Sequence, residues 1–142
     1  MEESIMQYMK QRLGIKKVDL RTYSPLTLAY IGDSVFDVIV KTILVSKANM
    51  QVNKYHKKAS SIVKAHAQAE MMNRLEAHLT EEEQDIYKRG RNATSYTKAK
   101  NASMIDYRRA TGLEALVGYL YLKEDYTRLI DLLQIGLEQI DL

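Results

Sequence analysis

The sequence predicts an all-α fold, and three observations carry that prediction. A single proline, Pro25, and six glycines punctuate 142 residues, which leaves long uninterrupted stretches that suit helices better than many short strands. Apolar residues recur at spacings of three and four along most of the chain, the period of a helix with one buried face. Helix starts are marked at Ser24-Pro25 and at Thr80 with Glu83 three residues on, an N-cap followed by proline and a capping box.

The elements follow in order. Residues 1–23 are expected to form a helical extension ahead of a core at about 24–142, all within one domain, and the length agrees with that count. From Pro25 to about Lys47 an apolar helix carries the charges Asp33, Asp37 and Lys41 at i, i+4 and i+8, so they share one stripe on an otherwise buried rod. Three charges also argue against a membrane span. A second long helix is expected from roughly Val52 to Leu79, with Ile62, Ala65, Ala69, Met72, Leu75 and Leu79 on one face. Beside that face run Lys54, Lys57, Ser61, Lys64 and Gln68, which read first as a solvated stripe.

The capping box at Thr80 opens a short helix with acids in its first turn and Lys88 and Arg89 in its last, as the helix dipole favours, and Gly90 is its expected stop. The segment RNATSYTKAKNAS has no apolar period and reads as a loop. A largely apolar helix follows from about Ser103 to Leu122, and Leu129, Leu132, Leu133, Gly136, Leu137 and Ile140 mark a final amphipathic one.

Composition narrows the chemistry. With 46% hydrophobic and 27% charged residues the chain can build a core, and disorder is excluded as the main state. The absence of cysteine removes disulfides, thiolate metal sites and thiol nucleophiles. The start, MEESIMQYMKQRLG, lacks the features of a secretory leader, so a cytoplasmic protein without membrane contact is expected. The formal net charge is +3, a weak signal, but its distribution is not even. Between Tyr87 and Arg109 stand Lys88, Arg89, Arg91, Lys98, Lys100, Arg108 and Arg109 against the single acid Asp106, a basic segment suited to a polyanion.

Two acids stand in apolar surroundings. Glu114 is the sole charge between Arg109 and Lys123, and Asp33 lies within LAYIGDSVF. A buried carboxylate needs a partner or a wet cleft. Gly32 and Gly112 lie close to them and permit close helix approach, so the two carboxylates are expected to meet across a helix contact. Oxygen ligands without Cys or nearby His suit magnesium or manganese better than zinc, and such a site beside a basic segment points to phosphate-ester chemistry. The alternative is that both acids are partly exposed or paired with local arginines. Asp37 and Lys41 are expected to form an i,i+4 ion pair, the three histidines to be structural or solvent-facing, and most of the ten tyrosines to be core or interface residues.

At GD in LAYIGDSVFDVIV and at LEALVGYLYL the chain resembles the catalytic domain of the ribonuclease III family. LAYIGD, HKKASSIVKAHAQAE and YKRGRNA, in order between Leu26 and Leu122, narrow the resemblance to the short Mini-III ribonucleases, which end without a double-stranded-RNA-binding domain. Longer family members usually carry four central acids, but here Ala29 stands four residues before Asp33 and Thr111 three before Glu114. The resemblance therefore implies Asp33 and Glu114 as catalytic metal ligands, with Mg or Mn as cofactor. It also implies an all-α homodimer that grips an A-form RNA duplex and cleaves it through metal-activated water, leaving 5′-phosphate and 3′-hydroxyl ends. Lys88, Arg89, Arg91, Lys98 and Lys100 are the expected phosphate contacts, with Lys57, Lys58 and Lys64 as secondary ones. The implied substrate is the paired stalk of precursor 23S ribosomal RNA, with a large-subunit ribosomal protein as a candidate partner. The rival readings are a non-catalytic double-stranded-RNA-binding dimer in ribosome assembly and a small DNA-binding regulator.

Overall fold

A computed structural model describes residues 4–93, 103–138 and 140. Among these residues seven α-helices appear, in the order α1 (Ile5–Arg12), α2 (Pro25–Lys47), α3 (Val52–Val63), α4 (Ala65–Leu75), α5 (Glu81–Asn92), α6 (Met104–Leu122) and α7 (Tyr126–Leu137). Short 3-10 turns lie at Leu20–Thr22 and Glu76–His78, and no strand occurs among the described residues. The fold is thus all-α, as the spacing of apolar residues predicts.

The caps act where the sequence marks them. Ser24 Oγ accepts from the Thr27 N–H at 3.1 Å, with Pro25 opening α2. Thr80 and Glu83 close a reciprocal box at 3.1 and 2.9 Å, and Ser103 Oγ accepts from the Asp106 N–H at 3.0 Å. Each satisfies donors that a helix start leaves free.

The apolar α6 is the central element. Its buried residues run from Ala110 to Leu120 with the one break at Glu114, because α2, α4, α5 and α7 pack around it. A helix apolar on all sides has to be enclosed in this way. Phe36, Val40 and Leu44 of α2, Met71, Met72 and Leu75 of α4, and Leu129, Leu132 and Leu133 of α7 complete the core.

Two crossings are too close for side chains. A Cβ on Gly32 would overlap the Glu114 carbonyl and stand 2.7 Å from the Gly118 nitrogen, and one on Gly118 would overlap the Leu28 carbonyl. On the other side of α6, a Cβ on Gly90 would lie 2.7 Å from the Ala115 Cβ.

Three expectations are corrected. The long helix from Val52 to Leu79 is broken at Lys64, whose backbone is extended (φ −64°, ψ 155°), and α4 gives way to a 3-10 turn after Leu75. The break lets Gln68 Nε2 donate to the Val63 carbonyl at 2.7 Å, a group left open by the end of α3. Gly90 does not end α5, which continues to Asn92, because that glycine serves the α5–α6 contact. Gly112 faces the Tyr87 ring of α5, and Gly118 takes the place beside Gly32 that Gly112 was expected to fill.

Candidate active site

Asp33 sits on α2 one residue beyond Gly32, and Glu114 sits on α6 with its own carbonyl against that glycine. The missing side chain brings the backbones together, and the two carboxyl groups lie close enough to influence each other. Asp33 is exposed and Glu114 half-buried. Neither takes part in any salt bridge among the described residues. Burial pushes the Glu114 carboxyl up to about 8, the neighbouring Asp33 carboxylate adds to the rise, and the nearby Gln68 amide opposes it. A half-buried carboxyl beside a second one offers oxygen ligands that a cation would satisfy.

The positions that carry acids in longer family members are closed. Ala29 and Thr111 are 7% and 8% exposed, and the Thr111 hydroxyl donates to the Tyr107 carbonyl at 3.0 Å. Gln68 is the polar neighbour that sequence reasoning passed over. Its spacing places it in the stripe expected to be solvated, but it is 2% exposed and its amide lowers the Glu114 carboxyl. Its place three residues beyond Ala65, the first residue of the restarted helix, is the signal, hidden because no local feature announces the break at Lys64.

Asp37, Glu70 and Asp106 are occupied elsewhere. Asp37 pairs with Lys41 at 2.9 Å, as its spacing predicts. His66 bridges Asp106 at 2.9 Å and Glu70 at 3.1 Å, and these two acids hold the imidazole above its usual range. No group of three or more His, Cys, Asp or Glu side chains poised for a metal occurs among the described residues.

The basic residues fall into different settings. Lys57, Lys58, Lys64, Lys88 and Arg89 are exposed, while Lys98 and Lys100 lie outside the described residues. Arg91, Arg108 and Arg109 line one open cleft of 430 Å³ with Glu76, Tyr87, Asn92 and Ile105. Arg91 lies over the Tyr87 ring at 5.7 Å. Arg109 is held by Glu76 at 3.0 Å and the Tyr87 hydroxyl at 3.4 Å, a structural contact. No helix among the described residues is long and apolar enough to cross a membrane.

The ribonuclease III domain pattern matches residues 26–125. The chain is 47% identical over 120 residues to the Mini-ribonuclease 3 of Clostridium tetani, covering 84% of this chain and 80% of that one. It is 42% identical over 141 residues to the Mini-ribonuclease 3 of a Thermoanaerobacter species, covering 99% of each. A crystal structure of a Fusobacterium nucleatum protein superposes with a TM-score of 0.79 over 87% of this chain and 95% of its own, at 24% identity, a likeness of fold. These likenesses set an endoribonuclease above a non-catalytic RNA binder or a DNA-binding regulator, and the chain belongs to the ribonuclease III family as an endoribonuclease of the Mini-ribonuclease 3 kind.

Proposed function

We propose that this endoribonuclease cuts double-stranded RNA with a divalent cation, magnesium or manganese, held by Asp33 and Glu114. One observation carries the reading: two carboxyl groups close enough to influence each other, without a basic partner among the described residues, with Glu114 pushed up to about 8. The donor set fits such an ion. Magnesium is commonly held by one or two carboxylates, with water and substrate phosphate completing its shell, and Ala29 and Thr111 leave the protein's share at these two acids.

When bound, the ion supplies the acidity that makes water a nucleophile near neutral pH and offsets charge gathering at phosphorus. The chain does the rest. Asp33 and Glu114 fix the reacting centre on two rigid helices, and cleavage by water in line leaves 5′-phosphate and 3′-hydroxyl ends. A-form RNA presents a major groove too narrow for side chains, so recognition rests on phosphates and 2′-hydroxyls and falls to exposed bases. Lys88, Arg89, Arg91, Lys98 and Lys100 are the main candidates, with Lys57, Lys58 and Lys64 behind them.

The finer reading is a cytoplasmic homodimer that trims the paired ends of precursor 23S ribosomal RNA, presented by a large-subunit ribosomal protein. Tyr30, Val38 and Val45 on α2 are 80%, 58% and 61% exposed, and this apolar stripe supports α2 as the centre of a dimer. A fully active monomer at micromolar concentration by light scattering contradicts that assembly.

The test of the site is substitution without change of shape. Glu114→Gln and Asp33→Asn are each expected to lower magnesium-dependent cleavage of perfectly paired RNA by roughly 10³-fold or more, a loss of about 4 kcal/mol of transition-state stabilisation, while duplex binding stays nearly intact. Parental cleavage by both variants removes the assignment.

A further inference from the structure

The first turn of α6 is held differently from the rest of that helix. Buried residues begin only at Ala110, and Met104 and Ile105 are 40% and 70% exposed, so apolar packing does little there. Polar contacts hold it instead. Ser103 caps the turn, with the Tyr107 N–H donating to the Ser103 carbonyl at 2.9 Å. The Asp106 carboxylate lies 2.9 Å from Nδ1 of His66, the second residue of α4. On the opposite side of that ring, Nε2 lies 3.1 Å from Glu70, one turn along α4.

This geometry specifies the charge on the ring. A neutral imidazole carries one N–H and one bare nitrogen, whereas an ionised carboxylate only accepts. With a carboxylate at each nitrogen, both hydrogen bonds form together only when both nitrogens are protonated. The charged groups that act on His66 are Asp106 from α6 and Glu70 from its own helix, and they hold the imidazole above its ordinary range. The helices α3 and α7 also pack on α4 but contribute no such group.

We infer that His66 is a proton-operated clasp: when charged, it fastens the first turn of α6 to α4 and so strengthens the grip on duplex RNA. This rests on the reading of Arg91 as a phosphate contact. Two effects run the same way. Arg108 and Arg109 follow directly on the fastened turn and line the cleft that contains Arg91, and side chains held in place lose less freedom on binding. Loss of the proton also leaves Asp106 and Glu70 without their shared cation, and uncompensated acids near the arginines repel phosphate. The stabilising contribution is complete below about pH 6.5 and is lost as pH rises through the raised value of the folded state.

The test uses the full-length, metal-free protein, so that no strand is cut, and compares the parent with His66→Gln and Asp106→Asn from about pH 5.5 to about pH 8.5, the range in which a histidine changes charge. Hydrogen exchange at the amides of residues 107–110, corrected for intrinsic rates, reads the clasp, and binding of a perfectly paired RNA reads its consequence. Glu114, His56 and His78 contribute equally to parent and variants, so the ratio of parent to variant isolates His66. Across this range the protection ratio and the RNA-affinity ratio are each expected to fall by about two- to fivefold, the scale of an exposed ion pair. A ratio that stays constant with pH, in exchange or in RNA affinity, overturns the inference. Failure of the parent to bind paired RNA at any pH instead removes the reading of the basic residues, and the exchange data alone then decide the clasp.

Discussion

Glu83 and Glu114 lie on adjacent helices, α5 and α6, and both are drawn out of solvent, yet their surroundings are opposite. Glu83, 5% exposed, receives two parallel hydrogen bonds of 2.8 Å from the Arg128 guanidinium and one from the Thr80 N–H. Arg128 also donates to the His78 carbonyl at 2.7 Å. The Arg128 hydrogen bond holds the Glu83 carboxyl below its ordinary range. Glu114 is pushed up to about 8 by burial first and by a facing acid second. One glutamate joins α5 to α7 in a satisfied network, and the other is held short of satisfaction where a cation can complete it. The contrast teaches that burial alone does not mark a functional acid; the sign of its nearest charged neighbour does.

The largest expected effect falls on the crossing that creates the unsatisfied pair. Gly32→Ala drives a Cβ into the Glu114 carbonyl, which backbone on both sides leaves no room to absorb. The cost is expected to be about 3 kcal/mol or more, beyond ordinary overpacking, and chemical denaturation measures it. A folded, active Gly32→Ala variant of parental stability breaks the account of how the acids are brought together.

The two glutamates themselves make the next test. Glu83→Gln removes one side of a buried pair and is expected to cost about 2–4 kcal/mol at neutral pH. Glu114→Gln, without metal, is expected to stabilise the fold. The signs with pH also oppose. Glu83 has a lowered folded pKa, so its contribution is present above about pH 4.5 and is lost as pH falls through the folded value. Glu114 has a raised one, so the native state binds the extra proton and stability declines as pH rises from about 4.5 toward 8. Unfolding of metal-free protein across pH should therefore show Glu83→Gln flattening the acid side and Glu114→Gln the neutral-to-alkaline side, the latter by on the order of 2–4 kcal/mol. Parallel curves for Glu114→Gln and its parent contradict the raised Glu114 carboxyl.

The smallest effect concerns the bases. If Arg91 and Lys98 meet phosphates, each contact releases counterions, and replacing both by Gln in a Glu114→Gln background should reduce the slope of log affinity against log salt by roughly one unit per contact. The reduction should be similar across RNA sequences, since phosphates carry little base information. An unchanged slope assigns these residues to the helix end and the cleft around Tyr87 instead.

Local signals were legible wherever the physics is local. Ser24-Pro25, the Thr80–Glu83 box and Ser103 announce helix starts because a cap is made within four residues, and the Asp37–Lys41 pair follows from helical spacing alone. The apolar run of α6 required enclosure, and its one interrupting charge identified Glu114 before any packing was known. Tertiary structure decided what depends on a second helix. The break at Lys64 has no proline or glycine to mark it, and it shows only through Gln68 turning back to Val63. Gly90 resembles a helix stop by composition, but the nearness of Ala115 makes it a contact residue within α5. Gly112 and Gly118 are equivalent as letters, and only the crossing of α2 with α6 selects Gly118 as the partner of Gly32. Backbone spacing and capping energies are written along one segment, whereas the environment of Glu114 is set by its burial among other helices and by Asp33 on α2, so that only packing could determine it.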